Sequence, residues 1–257
     1  MISKPQTRTV KAQRILVTGA AGAVGRAVCR ELLNRGHYVY GFDKNPCNDL
    51  DQCAIADICD VGALTNAIRG MDAVIHLAAT PDEADFYQSL LPNNIEGTHT
   101  VFQVANQLKI KRFIYASSMM VSLGYKTDYM VKIEDHPRPA NHYALTKLFG
   151  ESYGQFYAQR GMSVVSARLG WLPRDISHAQ LLQNHEFGSR VYLSPGDAGR
   201  FFAQSIEHTL EKNFINVFVT SIPLGAAMFD LAPCKRWLDW QPLDKWPEGL
   251  PFNLPSA

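Results

Sequence analysis

Arg14-Ile-Leu-Val-Thr18, running directly into Gly19-Ala-Ala-Gly22-Ala-Val-Gly25, is the stretch that decides the architecture. A short β-rich run opens into three glycines spaced by three. A helical pattern follows, with apolar residues at Val24, Val28, Leu32 and Leu33, and stops at Gly36, a C-cap residue. Set between a strand and a helix, the glycine spacing has a physical reading. The first glycine permits a tight turn, the second lets backbone N–H groups approach a pyrophosphate, and the third lets helix and strand pack closely. The helix N-terminus then attracts the anion through its unpaired N–H groups and its dipole. The competing reading is a glycine-rich turn that holds no ligand.

Outward from this loop, strands and helices alternate. Tyr38-Val-Tyr-Gly-Phe42 is a second strand ending at Asp43, and Cys53-Ala-Ile-Ala56 a third ending at Asp57. Ala73 to Leu77, Arg112 to Ala116 and Ser163 to Arg168 supply three more, with helical stretches over 61–69, 94–108 and 143–159 between them. The alternation predicts an α/β protein, a Rossmann-type doubly wound parallel sheet covered on both faces. Right-handed crossovers bring every strand's C-terminal end to one edge, so Gly19, Asp43, Asp57, Ala78 and Ser117 gather there. From about residue 171 the alternation fades and prolines from Pro173 and Pro195 through Pro255 interrupt the chain. Short helices and loops are predicted there rather than a second core. The expected organisation is a tail over 1–13, a dinucleotide-binding core over 14–170 and a small substrate-capping region over 171–257, packed as one unit.

Composition narrows the partners. The 257 residues carry 25 Lys+Arg against 24 Asp+Glu, a balance that attracts neither nucleic acid nor an anionic membrane. A hydrophobic fraction of 46% argues against disorder, and no run of 18 apolar residues suggests a membrane span. Five cysteines (Cys29, Cys47, Cys53, Cys59, Cys234) form no C-x-x-C pair and have no histidine at ligand spacing. Reduced thiols in a cytoplasmic protein without a metal site are expected, with a small molecule as partner.

Asp43 lies 18 residues beyond Gly25 at a strand end, where a carboxylate accepts hydrogen bonds from a ribose diol and repels a 2′-phosphate. NAD is therefore expected over NADP, with the adjacent Lys44 partly offsetting the repulsion; a plain turn aspartate is the alternative. Asp57 reaches toward adenine or caps a helix. Tyr143-Ala-Leu-Thr-Lys147 places a phenol and an amine one turn apart on a helix face. A free tyrosine ionises near pH 10, so a base working near neutrality needs its phenolate favoured by about 4 kcal/mol. An ammonium one turn away and a positive nicotinamide ring together supply attraction of that kind in a water-poor site. Lys147 also grips the nicotinamide ribose, and Ser118, just past the fifth strand, steadies the substrate oxygen as charge develops.

With these residues in place, the chain resembles an extended short-chain dehydrogenase/reductase of the NAD-dependent epimerase/dehydratase group. The resemblance rests on Thr18 to Gly25, Asp43, His76-Leu-Ala-Ala79, Asn93-Asn-Ile-Glu-Gly-Thr98, Ala116-Ser-Ser118, Tyr143-x-x-x-Lys147 and Arg168-Leu-Gly170. It implies a catalytic set of Ser118, Tyr143 and Lys147. It further implies a cofactor site of Gly19, Gly22, Ala23, Val24, Gly25, Asp43, Asp57, Ile58, Leu77, Ala78, Ala79 and Asn94, completed by Tyr143 and Lys147. Within the group the pattern is most similar to uronate dehydrogenases, through Phe149-Gly-Glu151, Ser194-Pro-Gly-Asp197 and Trp237-x-x-Trp-Gln-Pro242.

The substrate side departs from that pattern. Where those enzymes carry Asn-His after the catalytic serine this chain has Met119 and Met120, and where they carry Ser it has Trp171. Two thioethers and an indole in place of three hydrogen-bonding side chains make a less polar pocket, unless the methionines merely fill core space. Thr80 and Arg190 complete the substrate side, Arg190 as a clamp for a carboxylate. The sequence does not place the aromatic residues Tyr125, Tyr129 and Phe187. An NAD-dependent oxidoreductase acting on a hydroxyl of a sugar, sugar acid or similar small alcohol follows. A nucleotide-sugar epimerase and a non-catalytic dinucleotide-binding regulator are the alternatives, and a homodimer through helices 94–108 and 143–159 follows by analogy.

Overall fold

The computed structural model describes residues 11–254, so the expected N-terminal tail falls, apart from its last three residues, outside the described residues. The sheet has seven strands, all parallel, in the order β3-β2-β1-β4-β5-β6-β7. In chain order the elements begin with β1 (Arg14–Thr18), α1 (Ala23–Asn34), β2 (Tyr38–Asp43), β3 (Cys53–Ile55), α2 (Val61–Ile68) and β4 (Ala73–His76). A π-helical stretch, Phe86–Glu96, runs into α3 (Gly97–Gln107), followed by β5 (Arg112–Ser118), α4 (His142–Ala158) and β6 (Ser163–Leu169). Then come α5 (Ile176–Asn184), α6 (Gly188–Val191), α7 (Pro195–Glu207), β7 (Phe214–Val219) and α8 (Ala232–Leu238).

Because helices cover both faces, strand side chains alternate between two cores rather than between core and water. In β1, Ile15 and Val17 enter one core with Val28, Leu32, Phe201 and Phe202 of α1 and α7. Leu16 enters the other, where Phe102 of α3 stacks between Phe113 of β5 and Tyr157 of α4 at centroid separations of 4.0 and 5.5 Å. The chain reverses direction across the sheet between β1 and β4. Thr18 is level with Phe42 on one side and His76 on the other, and this is where ligands settle in open α/β sheets.

Three expectations are corrected. The region after 171 holds more than short helices and loops: β7 joins the sheet beside β6, and the 13-residue helix α7 packs on α1. Pro195, read as an interruption, stands in the first turn of α7, where its missing N–H costs nothing, behind the N-cap Ser194. The Ser-Pro-Gly-Asp stretch is thus a helix start. The buried Asp197 carboxylate then accepts from Arg200, from the Ser221 hydroxyl and from the N–H groups of Leu243 and Asp244, fastening the late chain to α7. The second correction concerns the thiols: Cys47 and Cys53 are joined as a disulfide, brought together because Cys53 pairs with Gly41 at the start of β3. The helix expected from 94 begins earlier, with Pro92 inside its π-helical entry.

Helix α4 is locked to the sheet by charge. Arg168 on β6 donates from Nε and Nη2 to the two carboxylate oxygens of Glu151, each at 2.8 Å, with both side chains buried. Ser117 of β5 and Asn216 of β7 donate to the same carboxylate at 2.6 and 2.9 Å. Removing one member of such a pair leaves an uncompensated buried charge. Glu151→Ala is expected to lower the unfolding free energy by about 3–5 kcal/mol in denaturant titrations.

Candidate active site

A single cleft of ≈ 1120 Å³ runs along the C-terminal edge of the sheet. At one end lies the glycine turn. Gly19 has φ +72°, open to residues without a Cβ, and a Cβ on Gly25 would sit 2.1 Å from the Gly19 carbonyl oxygen, inside the backbone. The turn therefore closes only with glycine, and it delivers α1 with no side chain capping its N-terminus and no acid in its first turn. That leaves N–H groups and the positive dipole end facing the cleft, a fit for a pyrophosphate. Asp43, at the end of β2, is held by the N–H groups of Ala21 and Asn45 at 3.0 and 2.9 Å. Asp57 lines the same end, but it is not the cap of α2: its carboxylate binds the Cys59 N–H, and Asp60 caps the helix.

Of the expected residues, the cleft brings together Gly19, Gly22, Ala23, Val24, Gly25, Asp43, Asp57, Ile58, Leu77, Ala78, Ala79, Thr80, Ser118, Met119, Met120, Tyr143, Lys147 and Trp171. Two fall elsewhere. Asn94 sits one layer behind the wall, its side chain clasping both backbone polar groups of Thr80 and donating to Thr146 on α4. It positions the loop after β4 and does not line the cleft. Arg190 donates to the carbonyls of Ala226 and Thr127, 2.6 and 2.7 Å away, and so joins two late loops; the carboxylate clamp expected of it is not formed. Its backbone lies at the short helix α6, outside the cleft lining.

Tyr143 and Lys147 share the inner face of α4, whose N-terminus is set twice. Asn141 accepts from the Ala144 N–H at 2.9 Å, and Glu83 accepts from the Tyr143 N–H at 2.9 Å. Ser118 lies beside the Tyr143 phenol, close enough to favour its ionised form. The Lys147 ammonium donates to the Ala116 carbonyl at 3.0 Å and lies 5.7 Å from the Tyr143 ring centroid. Beneath them His76 bridges Thr18 and Thr98, and burial, helped by Lys147, pushes its imidazole down to about 3, so it is neutral at working pH.

The electrostatics differ from the expectation of a phenol drawn toward ionisation. Burial pushes Tyr143 up to about 12, only partly opposed by the Ser118 contact, and pushes Lys147 down to about 8. The reason is desolvation: both groups lose water on burial, and the ammonium directs its bond to a backbone carbonyl.

Several cleft residues escaped the sequence reading. Asp82 and Arg174 form an ion pair across the mouth (Nη2 to Oδ2, 2.5 Å), and His178 and His185 line the same end beside Phe187, an aromatic that the sequence named without placing it. Asp82 and Arg174 each follow a strand's C-terminal end by a few residues, the one signal that was available. Tyr125 and Tyr129 stack on each other, 5.4 Å between centroids, away from the cleft lining.

Residues 15–172 match the NAD dependent epimerase/dehydratase family. The chain belongs to that family. L-arabinose 1-dehydrogenase (NAD(P)(+)) of Haloferax volcanii is 35% identical over 214 residues, 77% of this chain and 84% of that protein. A uronate dehydrogenase of Pseudomonas syringae is 31% identical over 162 residues, 61% of this chain and 58% of that one. The crystal structure of uronate dehydrogenase from Agrobacterium tumefaciens superposes with a TM-score of 0.78 at 23% identity, over 91% of this chain and 85% of that one, a likeness of fold.

The depressed Lys147 carries a consequence for stability. With its folded value near 8 against 10.5 in the free side chain, the unfolded chain binds the extra proton between those limits, so stability rises with pH across that window. At pH 7 the buried charge is a burden that a methionine of similar shape lacks. Lys147→Met is expected to raise the unfolding free energy at pH 7 by about 1–2 kcal/mol and to flatten the rise above pH 8, as read by calorimetry.

Proposed function

We propose that the protein is an NAD-dependent dehydrogenase that oxidises a hydroxyl of a sugar, sugar acid or similar small alcohol with Ser118, Tyr143 and Lys147. The observation that carries this is the convergence, in one cleft, of the glycine-bound helix N-terminus with Ser118 and Tyr143, and with Lys147 one turn away. The family and the sugar dehydrogenases among its relatives support it. The cofactor's phosphates would rest on Gly22, Ala23 and Val24, its adenosine ribose on Asp43, and its nicotinamide end against Ala78, Ala79 and Lys147. NAD, when bound, supplies the hydride acceptor: the carbinol C–H bond breaks with its electron pair going to nicotinamide C4, leaving a carbonyl, NADH and one proton.

The chain's own groups do the rest. The Tyr143 oxygen takes the hydroxyl proton, Ser118 donates to the same substrate oxygen and fixes its direction, and Lys147, one helical turn away, would hold the nicotinamide ribose. Met119, Met120 and Trp171 close the site against water. An epimerase reading needs room for a nucleotide on the substrate as well as on the cofactor. The cleft, at ≈ 1120 Å³, is only slightly larger than pockets that hold one ligand, about 300–1,000 Å³. The test is net NADH formation at 340 nm, which a dehydrogenase gives and an epimerase does not. Tyr143→Phe is expected to lower kcat by about three orders of magnitude or more while NAD affinity in titration stays within about threefold. Retained turnover in that variant would remove Tyr143 from the chemistry.

Two further readings follow. A protein that depends on NAD is assigned to the cytoplasm, which holds that cofactor. A homodimer is favoured by the outer face of α4, where Leu145 and Phe156 are 51% and 46% exposed with Phe149 between them. An apolar stripe at helical spacing is costly to leave in water. The double variant Leu145→Glu/Phe156→Glu is expected to sediment as a monomer where the parent sediments as a dimer, with melting otherwise cooperative.

A further inference from the structure

The substrate end of the cleft is walled by apolar and aromatic side chains on three sides. Met119 and Met120 follow Ser118 on one side. Trp171 stands opposite on the loop after β6, which runs beside β5 with Ser118 level with Leu169. The third side is an aromatic run: the Trp171 ring lies 5.4 Å from His178 and 5.7 Å from His185, and His185 lies 4.1 Å from Phe187. Several polar atoms of this wall are already engaged, the His185 imidazole excepted. The Trp171 indole N–H donates to His178 Nε2, and the Ser118 oxygen accepts the Met120 N–H at 3.2 Å. Arg174 is occupied by Asp82.

A sugar presents a hydroxyl on nearly every carbon, and each one buried without a partner weakens binding, because its bonds to water are lost without replacement. A purely apolar wall rejects an added hydroxyl by about 10²-fold, whereas thioethers and flat rings gain contact area from an apolar body. We propose that the alcohol oxidised at Tyr143 is a secondary alcohol on an apolar ring, aromatic or alicyclic, whose ring packs between Met119/Met120 and the Trp171–His185–Phe187 wall. This rests on the dehydrogenase reading and names the substrate class of the same site. The balance is that of the oxidation above: hydride to NAD, hydroxyl proton to Tyr143, and the ring alcohol released as its ketone.

The experiment compares kcat/KM, from NADH absorbance, for cyclohexanol and 1-phenylethanol against L-arabinose and D-glucuronate, in the intact protein with saturating NAD. The ring alcohols are expected to lead by about 100-fold. Trp171→Ser is expected to narrow that ratio at least about tenfold. Met120→Gln, at a half-buried position that tolerates a polar side chain, is a second variant expected to move it the same way. Unchanged NAD-dependent melting in each variant shows that the fold and cofactor end are intact. A sugar or sugar acid turned over as well as or better than both ring alcohols overturns this inference and leaves the dehydrogenase standing. An unchanged ratio in both variants also overturns it. No NADH from any of the four, in protein whose melting NAD raises, sinks the dehydrogenase reading together with the inference.

Discussion

The placement of Tyr143 and Lys147 beside Ser118 depends on one buried carboxylate. Glu151 lies two turns along α4 from Tyr143 and one from Lys147, so all three occupy the same face of the helix. By accepting from Ser117, Arg168 and Asn216 it ties that face to three adjacent strands at once, and Arg168 extends the tie to Ser122, four residues past Ser118. Apolar packing between a helix and a sheet is non-directional and tolerates small slides. A forked guanidinium–carboxylate contact does not, because its two bonds fix both distance and rotation. The phenol and the amine are therefore held relative to Ser118 by a charge contact one helical turn beyond Lys147. Such a pair is weak evidence for net stability, since desolvating it is expensive. Its evident contribution here is register.

The cleft is built by two different kinds of chemistry. Its cofactor end is made by backbone: a positive-φ glycine, an N–H-lined helix end and a carboxylate gripped by two amides. Its substrate end is made by side chains from segments far apart in sequence, Ser118 to Met120 after β5, Trp171 and Arg174 after β6, and His185 and Phe187 beyond α5. Backbone devices restrict residue choice severely, since only glycine fits at Gly25. Side-chain walls restrict it hardly at all.

That contrast explains what was legible in the sequence. The glycine spacing, the strand-end aspartate and the Tyr-x-x-x-Lys pair each carry a local geometric requirement, so the first six strands and most of the cofactor end could be read directly. Pro195 misled because a proline marks a break or a beginning depending on the N-cap before it, and Ser194 was that cap. Asn94 and Arg190 misled for another reason. Their chemistry suits a ligand, but they spend it on Thr80, Thr146, Thr127 and Ala226, partners that only tertiary folding brings near. The Cys47–Cys53 link was hidden in the same way, since strand register rather than cysteine spacing creates it.

The packing of α7 on α1 sets an order of events during synthesis. Val28 and Leu32 are made early, with the first nucleotide-binding elements, yet Phe201 and Phe202, which share their core, emerge about 170 residues later. Until then one face of the nascent sheet and its first helix has no native cover. At about 5–20 residues per second that interval lasts on the order of ten seconds or more. A chain of this design therefore passes through a stage with an uncovered apolar surface, when chaperone capture or clumping competes with completion. Substitutions in α7 would then cost yield of folded protein before they cost anything in the finished molecule.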